Sequence, residues 1–349
     1  MTLPYLTAEL PGTGGVLRAA PEDFVVDEVP AYPPSGAGEH VFVRIQKRGL
    51  TTPDAVGRLA RALGLRPRDV GVAGMKDRHA VTTQWVSLPP KTDPDRAAAY
   101  ADDELRVLEA HRHPHKLRTG HLRGNRFRLR VRGVADGATA VARAEAVLAE
   151  LARAPGAPNW YGEQRFGRAG DNAAAGRALV TGAAPLARGD AGRHQRLLVS
   201  ALQSELFNTW LTRRIAAGAY RTAIAGDVMH KRGGGLFDCT DVAVDGPRVT
   251  AGEIVPTGPM FGHQGRRPQP GSAAAAAEDA ILAEAGLTTG DFARVGSLAE
   301  GTRRDAAIVL DDVAAARVDD DPAALEVRFT LPAGAYATVV MREVMKEPA

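Results

Sequence analysis

In 349 residues the chain holds a single cysteine, Cys239, which excludes an intramolecular disulfide and any cysteine-based metal cage. A lone thiol suits a reducing compartment. No run of about eighteen apolar residues occurs, so no membrane-spanning helix is expected. The opening Met-Thr-Leu-Pro-Tyr has no charged stretch followed by an apolar one, so neither export nor membrane insertion is indicated. A cytoplasmic chain is the expectation. Lysine is scarce as well: of 44 basic residues only Lys47, Lys76, Lys91, Lys116, Lys231 and Lys346 are lysine, and the rest are arginine. Coding bias would produce this, as the abundant Ala and Gly also suggest; so would a need for arginine's planar fork, which binds phosphates bidentately and stacks on bases. Composition leaves both open.

The remaining composition, 44% hydrophobic and 24% charged, is that of a globular protein long enough for two domains. The net charge of +3 is small, but its placement is uneven. Between Ala110 and Ala135 there is no acid, while Arg112, Lys116, Arg118, Arg123, Arg126, Arg128, Arg130 and Arg132 supply eight cations and His111, His113, His115 and His121 lie among them. Such a segment is the electrostatic footprint of a polyphosphate partner.

Alternation predicts a strand over Glu39–Gln46, with Val41, Val43 and Ile45 on one face. Thr52 with Pro53 then starts a short helix bearing Val56, Leu59, Ala60 and Leu63, which Gly64 stops. Asp69–Ala73 and Ala80–Leu88 are strand-like and flank a turn, and Asn125–Val131 alternates again. The pattern predicts a sheet with helices in the first 150 residues. Thr139 reads as the cap of a helix over Ala140–Ala152, ended by Ala154-Pro155-Gly156-Ala157-Pro158, the best candidate boundary. Leu197, Leu198, Ala201, Leu202, Leu206, Phe207, Trp210 and Leu211 mark an amphipathic helix whose stripe is expected to be core. His230–Leu236 reads as a surface hairpin rather than a phosphate loop, because it lacks the strand–loop–helix context. Gly262–Gly271 is expected to be an exposed loop and Ala273–Gly286 a helix. Leu325, Val327, Phe329 and Leu331 form a late strand that would rejoin the N-terminal sheet, followed by a second apolar run, Tyr336–Val344.

Four constellations bear chemistry. In the turn, Asp77 stands between Lys76 and Arg78, and adjacent cations keep a carboxylate ionised; a surface salt-bridge cluster would read the same way. His111, His113 and His115 raise the question of a metal, but Pro114 interrupts the strand and neighbouring cations would repel the ion, so no metal is expected. Along Asn125-Arg126-Phe127-Arg128-Leu129-Arg130-Val131-Arg132 the arginines share one face, either as an RNA-facing comb or as a face covered by acids from another element. Asn159-Trp160-Tyr161-Gly162-Glu163-Gln164-Arg165-Phe166-Gly167 suits either stacking on splayed bases or a packed hinge.

Taken in order, these segments resemble the TruD family of pseudouridine synthases. The resemblance runs through Arg18-Ala19-Ala20-Pro21-Glu22-Asp23-Phe24-Val25-Val26-Asp27-Glu28, Gly38-Glu39-His40-Val41, Gly74-Met75-Lys76-Asp77-Arg78-His79-Ala80-Val81-Thr82-Thr83-Gln84, Gly124-Asn125-Arg126-Phe127, the Asn159–Gly167 block and Leu331-Pro332-Ala333-Gly334-Ala335-Tyr336-Ala337-Thr338. It departs from the family pattern at Arg18, where Lys is frequent, and at Tyr336, where Phe is frequent; both keep the side chain's character.

The resemblance implies an α+β fold: a pseudouridine synthase catalytic domain with a mixed, largely antiparallel sheet flanked by helices, made of residues 1–154 and 299–349, and an inserted α/β TRUD domain, residues 155–298. It implies isomerisation of uridine 13 of tRNA to pseudouridine, with Asp77 as the essential nucleophile or base and no cofactor. Arg18 would pair with Asp77, Asn125 would hydrogen-bond the uracil edge, and Phe127 with Phe24 or Tyr336 would sandwich the ring. Lys76, Arg78, Lys116, Arg126, Arg128 and Arg130 are the candidate contacts to the RNA backbone. The partner is tRNA, with no membrane and no obligatory protein partner, the chain acting as a monomer. A same-fold synthase acting on another RNA, or a non-catalytic RNA-binding relative, is the alternative.

Overall fold

The computed structural model describes residues 3–167, 169–187 and 190–346. Two compact units divide them. One gathers Leu10–Leu148, Leu310–Ala337 and residues 344–346; the other gathers Ala149–Val309 with residues 3–9 and Thr338–Glu343. These divisions stand at 148/149 and 309/310, whereas the expected ones stand at 154/155 and 298/299.

In the first unit the chain lays down β1 (Val16–Leu17), β2 (Phe24–Pro30), β3 (His40–Arg48), helix α1 (Thr52–Leu63), β4 (Gly71–Val72), β5 (Val81–Leu88), the short α2 (Pro94–Ala98), β6 (Leu105–His113) and β7 (Leu122–Arg132), and then enters α3 (Gly137–Ala152). In the second unit come β8 (Ala157–Pro158), α4 (Asn172–Thr181), α5 (Asp190–Ala216), β9 (Val228–Lys231), β10 (Leu236–Asp238), α6 (Val242–Thr250), β11 (Ile254–Met260), α7 (Ala273–Glu284), α8 (Thr289–Ala293), β12 (Thr302–Asp305) and β13 (Ala307–Ile308). The chain returns with β14 (Asp311–Val318) and β15 (Asp321–Pro332), and the last apolar run folds as α9 (Ala337–Met345).

The first unit is built on a nine-stranded sheet in the order β14-β15-β7-β2-β5-β3-β6, with β1 beside β7 and β4 beside β5. Every pairing in it is antiparallel except that of β2 with β5. This is the expected α+β architecture, and the late strand does rejoin the N-terminal ones. β7 is the longest shared element: β15 pairs with it from Ala324↔Arg132 to Pro332↔Gly124, and β2 from Phe24↔Leu129 to Val29↔Gly124. Directly opposed residues share a face of the sheet. One face therefore carries Phe24, Val26 and Glu28 of β2, Asn125, Phe127 and Leu129 of β7, and Val327, Phe329 and Leu331 of β15. The same face continues across β5 and β3, where α1 packs Ala55, Val56, Leu59 and Leu63 onto Val41, Val43, Ile45 and Val86.

Local details differ from the sequence reading for identifiable reasons. Thr51, not Thr52, caps α1: it is extended (φ −74°, ψ 159°) and its Oγ1 accepts the Asp54 N–H. That leaves the Thr52 hydroxyl buried and available for other work. Asp136, not Thr139, caps α3, its carboxylate accepting the Thr139 N–H at 2.9 Å. The strand expected over Asp69–Ala73 shrinks to Gly71–Val72, because Pro67–Asp69 makes a 3₁₀ turn. Leu197, expected in the core, is 42% exposed, while Leu202, Leu206, Phe207, Trp210 and Leu211 are buried.

The second unit packs α5 on the sheet β10-β9-β11-β12. The rings of Trp210 and Phe207 lie against Gly258 of β11, where an added Cβ would stand 2.4 Å from the indole. The expected hairpin is formed by β9 and β10, paired from Leu236↔His230 to Asp238↔Val228. Residues 262–270 hold no helix or strand, and α7 falls where expected. The aromatic block at 159–167 is packed at its start: Trp160 is buried, and the main chain of Tyr161 exchanges two hydrogen bonds with Asn208 of α5, while Glu163 and Gln164 are exposed. No helix among the described residues is long and apolar enough to cross a membrane.

Gly124 tests the β7–β15 register. A Cβ there would stand 2.1 Å from the Leu331 carbonyl oxygen. Gly124→Ala must therefore part the two strands beside Asn125, and urea unfolding should report a loss of about 1–3 kcal/mol, the usual cost of overpacking.

Candidate active site

The turn between β4 and β5 is docked onto the turn between β3 and α1. The Lys76 N–H donates to Thr52 Oγ1 at 2.9 Å, Arg78 Nε donates to the Gly49 carbonyl at 3.3 Å, and the Gly49 N–H donates to the Ala80 carbonyl at 3.4 Å. Thr52 in turn donates to Gln84 Oε1, whose amide nitrogen reaches the Gly74 carbonyl. Between these ties Lys47 Nζ donates to the carbonyls of Leu50 (2.6 Å) and Asp77 (2.8 Å). Both sides of Asp77 are thus pinned.

The Asp77 side chain projects from this frame, about a third exposed. Its Oδ2 accepts from Arg18 Nη2 at 2.9 Å and its Oδ1 from the Arg78 N–H at 3.0 Å. Arg18 adopts φ +66°, a left-handed conformation that few arginines take up, and its guanidinium lies 4.2 Å over the Phe24 ring. The cation beside the carboxylate is therefore Arg18. Lys76 and Arg78, which flank Asp77 in sequence, turn their side chains elsewhere.

Lys76 forms an ion pair with Glu28 at 2.5 Å, with side chains 6% and 0% exposed, and Glu28 Oε1 also accepts the Trp85 N–H. Lys76, a candidate contact to the RNA backbone, is thus buried in an ion pair. Glu28 is the residue paired across the ladder with Asn125. Asn125 Oδ1 is buried with no hydrogen-bond partner among the described residues. Such an acceptor is costly to leave unpaired.

Phe24 and Phe127 meet edge to face, with centroids 6.2 Å apart and planes at 78°, and Phe127 also touches Phe329. Phe24 therefore supports Arg18 and Phe127 and does not form a parallel wall opposite Phe127. Tyr336 is half-buried, two residues after the Gly334 turn and directly before α9.

The arginine comb lies on the opposite face of β7. Arg126 faces Asp312 at 3.9 Å, Arg128 faces Glu326 at 3.5 Å, Arg130 faces Asp320 at 3.5 Å, and Arg132 binds Asp23 at 2.7 Å and Asp321 at 3.1 Å. Each arginine thus has an acid beside it, as in the covered-face alternative, while Arg126 and Arg128 stay more than half exposed. Lys116 and its neighbours Arg118 and Arg123, by contrast, have no ion-pair partner among the described residues. The loop of Lys116 and Arg118, which leads into β7 and Arg123, is tied to the start of the Asp77 turn by the Gly120 N–H to the Ala73 carbonyl at 2.8 Å. The histidines divide: His111 bonds Glu109, while His113 stacks on Tyr32 at 5.3 Å and Phe42 at 4.1 Å, where burial first, then His115 and His40, lower its pKa.

Two participants, Lys47 and Glu28, escaped the sequence reading. A signal existed: continuing the alternation Val41, Val43, Ile45 places Lys47 on the buried face, and Phe24, Val26 places Glu28 there.

The family model described as tRNA pseudouridine synthase D (TruD) matches residues 1–187 and 191–344. The chain is 56% identical over 351 residues to a tRNA pseudouridine synthase D of Anaeromyxobacter dehalogenans, covering 99% of this chain and 97% of that one. It is 42% identical to a tRNA pseudouridine synthase D of Thermus thermophilus, covering 99% and 93%. The solved structure of a putative tRNA pseudouridine synthase D from Methanosarcina mazei superposes with a TM-score of 0.80 at 24% identity, covering 99% of this chain and 96% of that one, and so shares the fold. The chain belongs to the TruD family.

Removing one member of the buried pair should be severe. Glu28→Gln leaves the Lys76 ammonium without its counter-charge, and thermal or urea unfolding should show a loss of about 3–5 kcal/mol.

Proposed function

We propose that this chain isomerises uridine 13 of tRNA to pseudouridine, with Asp77 as the essential nucleophile or base. The observation that carries this reading is one carboxylate, anchored through its own main chain and paired with Arg18, on the same unit as the unsatisfied acceptor of Asn125, in a chain of the TruD family. The nine-stranded unit is then the catalytic domain and the other the inserted TRUD domain. The enzyme acts as a cytoplasmic monomer.

The chemistry matches the residue types. The glycosidic bond from C1′ to N1 breaks, a bond from C1′ to C5 forms, the proton on C5 leaves and N1 takes one up. Substrate and product are isomers, so the overall change is redox-neutral and no cofactor is required by the balance. Asp77 either adds to the sugar or base or removes a proton, and Arg18, hydrogen-bonded to its Oδ2, holds the carboxylate in place. The uracil must leave the RNA stack and turn before it is recaptured. Asn125 Oδ1 would accept from its N3–H during that rotation, with Phe127 and Tyr336 bounding the ring and Phe24 supporting Arg18.

Backbone contacts fall to Arg78 and to Lys116, Arg118 and Arg123, because the comb is already ion-paired. Phosphate contacts position the RNA without reading its sequence.

Asp77→Asn should lower pseudouridine formation by about 10³-fold or more, as loss of a nucleophile or base implies, with tRNA affinity retained. Base-resolved detection of pseudouridine in tRNA makes the measurement, and an unchanged rate or a product at another position would overturn the assignment. Neutralising Lys116, Arg118 and Arg123 together should flatten the dependence of log K on log salt by up to about 0.7–0.9 for each phosphate that goes unneutralised. The triple change Arg126→Gln, Arg128→Gln, Arg130→Gln should leave that slope nearly unchanged.

A further inference from the structure

We propose that the Lys47 ammonium is the positioning group for Asp77, holding that residue's main-chain carbonyl so that its carboxylate keeps its place beside Arg18. The inference rests on the reading of Asp77 as catalytic.

Lys47 is fully buried, in register between Thr82 of β5 and Leu105 of β6. Among the described residues its ammonium touches no carboxylate; its two hydrogen bonds go to the carbonyls of Leu50 and Asp77. Burying a lysine without a counter-ion is expensive, and a methionine would complete the column Val41, Val43, Ile45 at no such cost. The surrounding ties, from Thr52 to Lys76 and from Gly49 to Arg78 and Ala80, grip the residues on either side of Asp77. Among the described side chains, only Lys47 grips the main chain of Asp77 itself.

The charged groups facing the amine are Asp77 and Lys76 of the turn and Asp54 of α1, while the neighbouring strands present Thr82 and Leu105. Burial lowers the Lys47 pKa to about 8, with Lys76 acting in the same sense and Asp77 and Asp54 against it. At neutral pH the amine is charged, and as pH rises through about 8 it loses the charge and one of its three donors. Two effects of opposite sign follow. Positioning of Asp77 weakens, so kcat falls. Stability moves the other way: the folded pKa lies below the unfolded one, the unfolded chain binds more protons between about 8 and 10.5, and the group's contribution to stability rises across that window. A lysine with only a structural role would give the second effect without the first.

The test follows tritium release from tRNA labelled at uracil C5. Lys47→Met should lower kcat by about 10²-fold, the loss typical of a reacting group misplaced by about 1 Å, with KM changed by less than about threefold. Lys47→Arg should recover part of that loss. In the wild-type protein kcat should fall as pH rises through about 8 while urea stability rises, and Lys47→Met should lack the falling limb. A kcat in Lys47→Met within about threefold of wild type, or a loss confined to KM, overturns the proposal. If neither variant folds, the wild-type profile decides, and a kcat that stays flat from about pH 7 to 9.5 overturns it. Asp77→Asn is assayed alongside. Activity retained there sinks the catalytic reading, whereas an inactive Asp77→Asn with an active Lys47→Met sinks the positioning role alone.

Discussion

Because β7 is paired on both sides, by β2 with Glu28 opposite Asn125 and by β15 with Leu331 opposite Asn125, a slip of one residue would exchange its faces completely. Phe127, Leu129 and Val131 would meet water, and the arginines would enter the core. The apolar burial of those three residues thus determines where Asn125 points, and with it the position of an acceptor that no described protein group satisfies. The same register places Glu28 beside Asn125 and sends the arginine comb to the far face, among Asp312, Asp320 and Glu326.

Around Asp77, cations are sorted by dielectric environment rather than by sequence distance. Arg18, 59 residues away in sequence, is partly exposed and meets the carboxylate directly. Lys76, the preceding residue, is buried and must therefore be neutralised, which Glu28 does. Lys47 is buried with carbonyl partners, and its lowered pKa records the cost. The Asp77 carboxylate is left about a third exposed.

Much of the framework was legible. The strand at 39–46, α1 with its Gly64 stop, the alternation of 125–131 and the rejoining strand at 325–331 all follow from period and punctuation. The pairing of Arg18 with Asp77 was legible through ordered motifs. Thr51 and Thr52 were not separable by pattern, since either hydroxyl is a fit cap; the extended backbone at Thr51 decided it and freed Thr52 to hold Lys76. The comb was ambiguous for a related reason: alternation says that four arginines share a face, and says nothing of what lies opposite.

By itself the sequence determined which residues must be buried together, because hydrophobic period is local, and which family the chain belongs to, because ordered motifs carry that resemblance. Only the tertiary structure decided which cation meets Asp77, what neutralises Lys76 and what Lys47 holds. Those choices depend on distance and desolvation, and both are set by pairings between segments far apart in the chain.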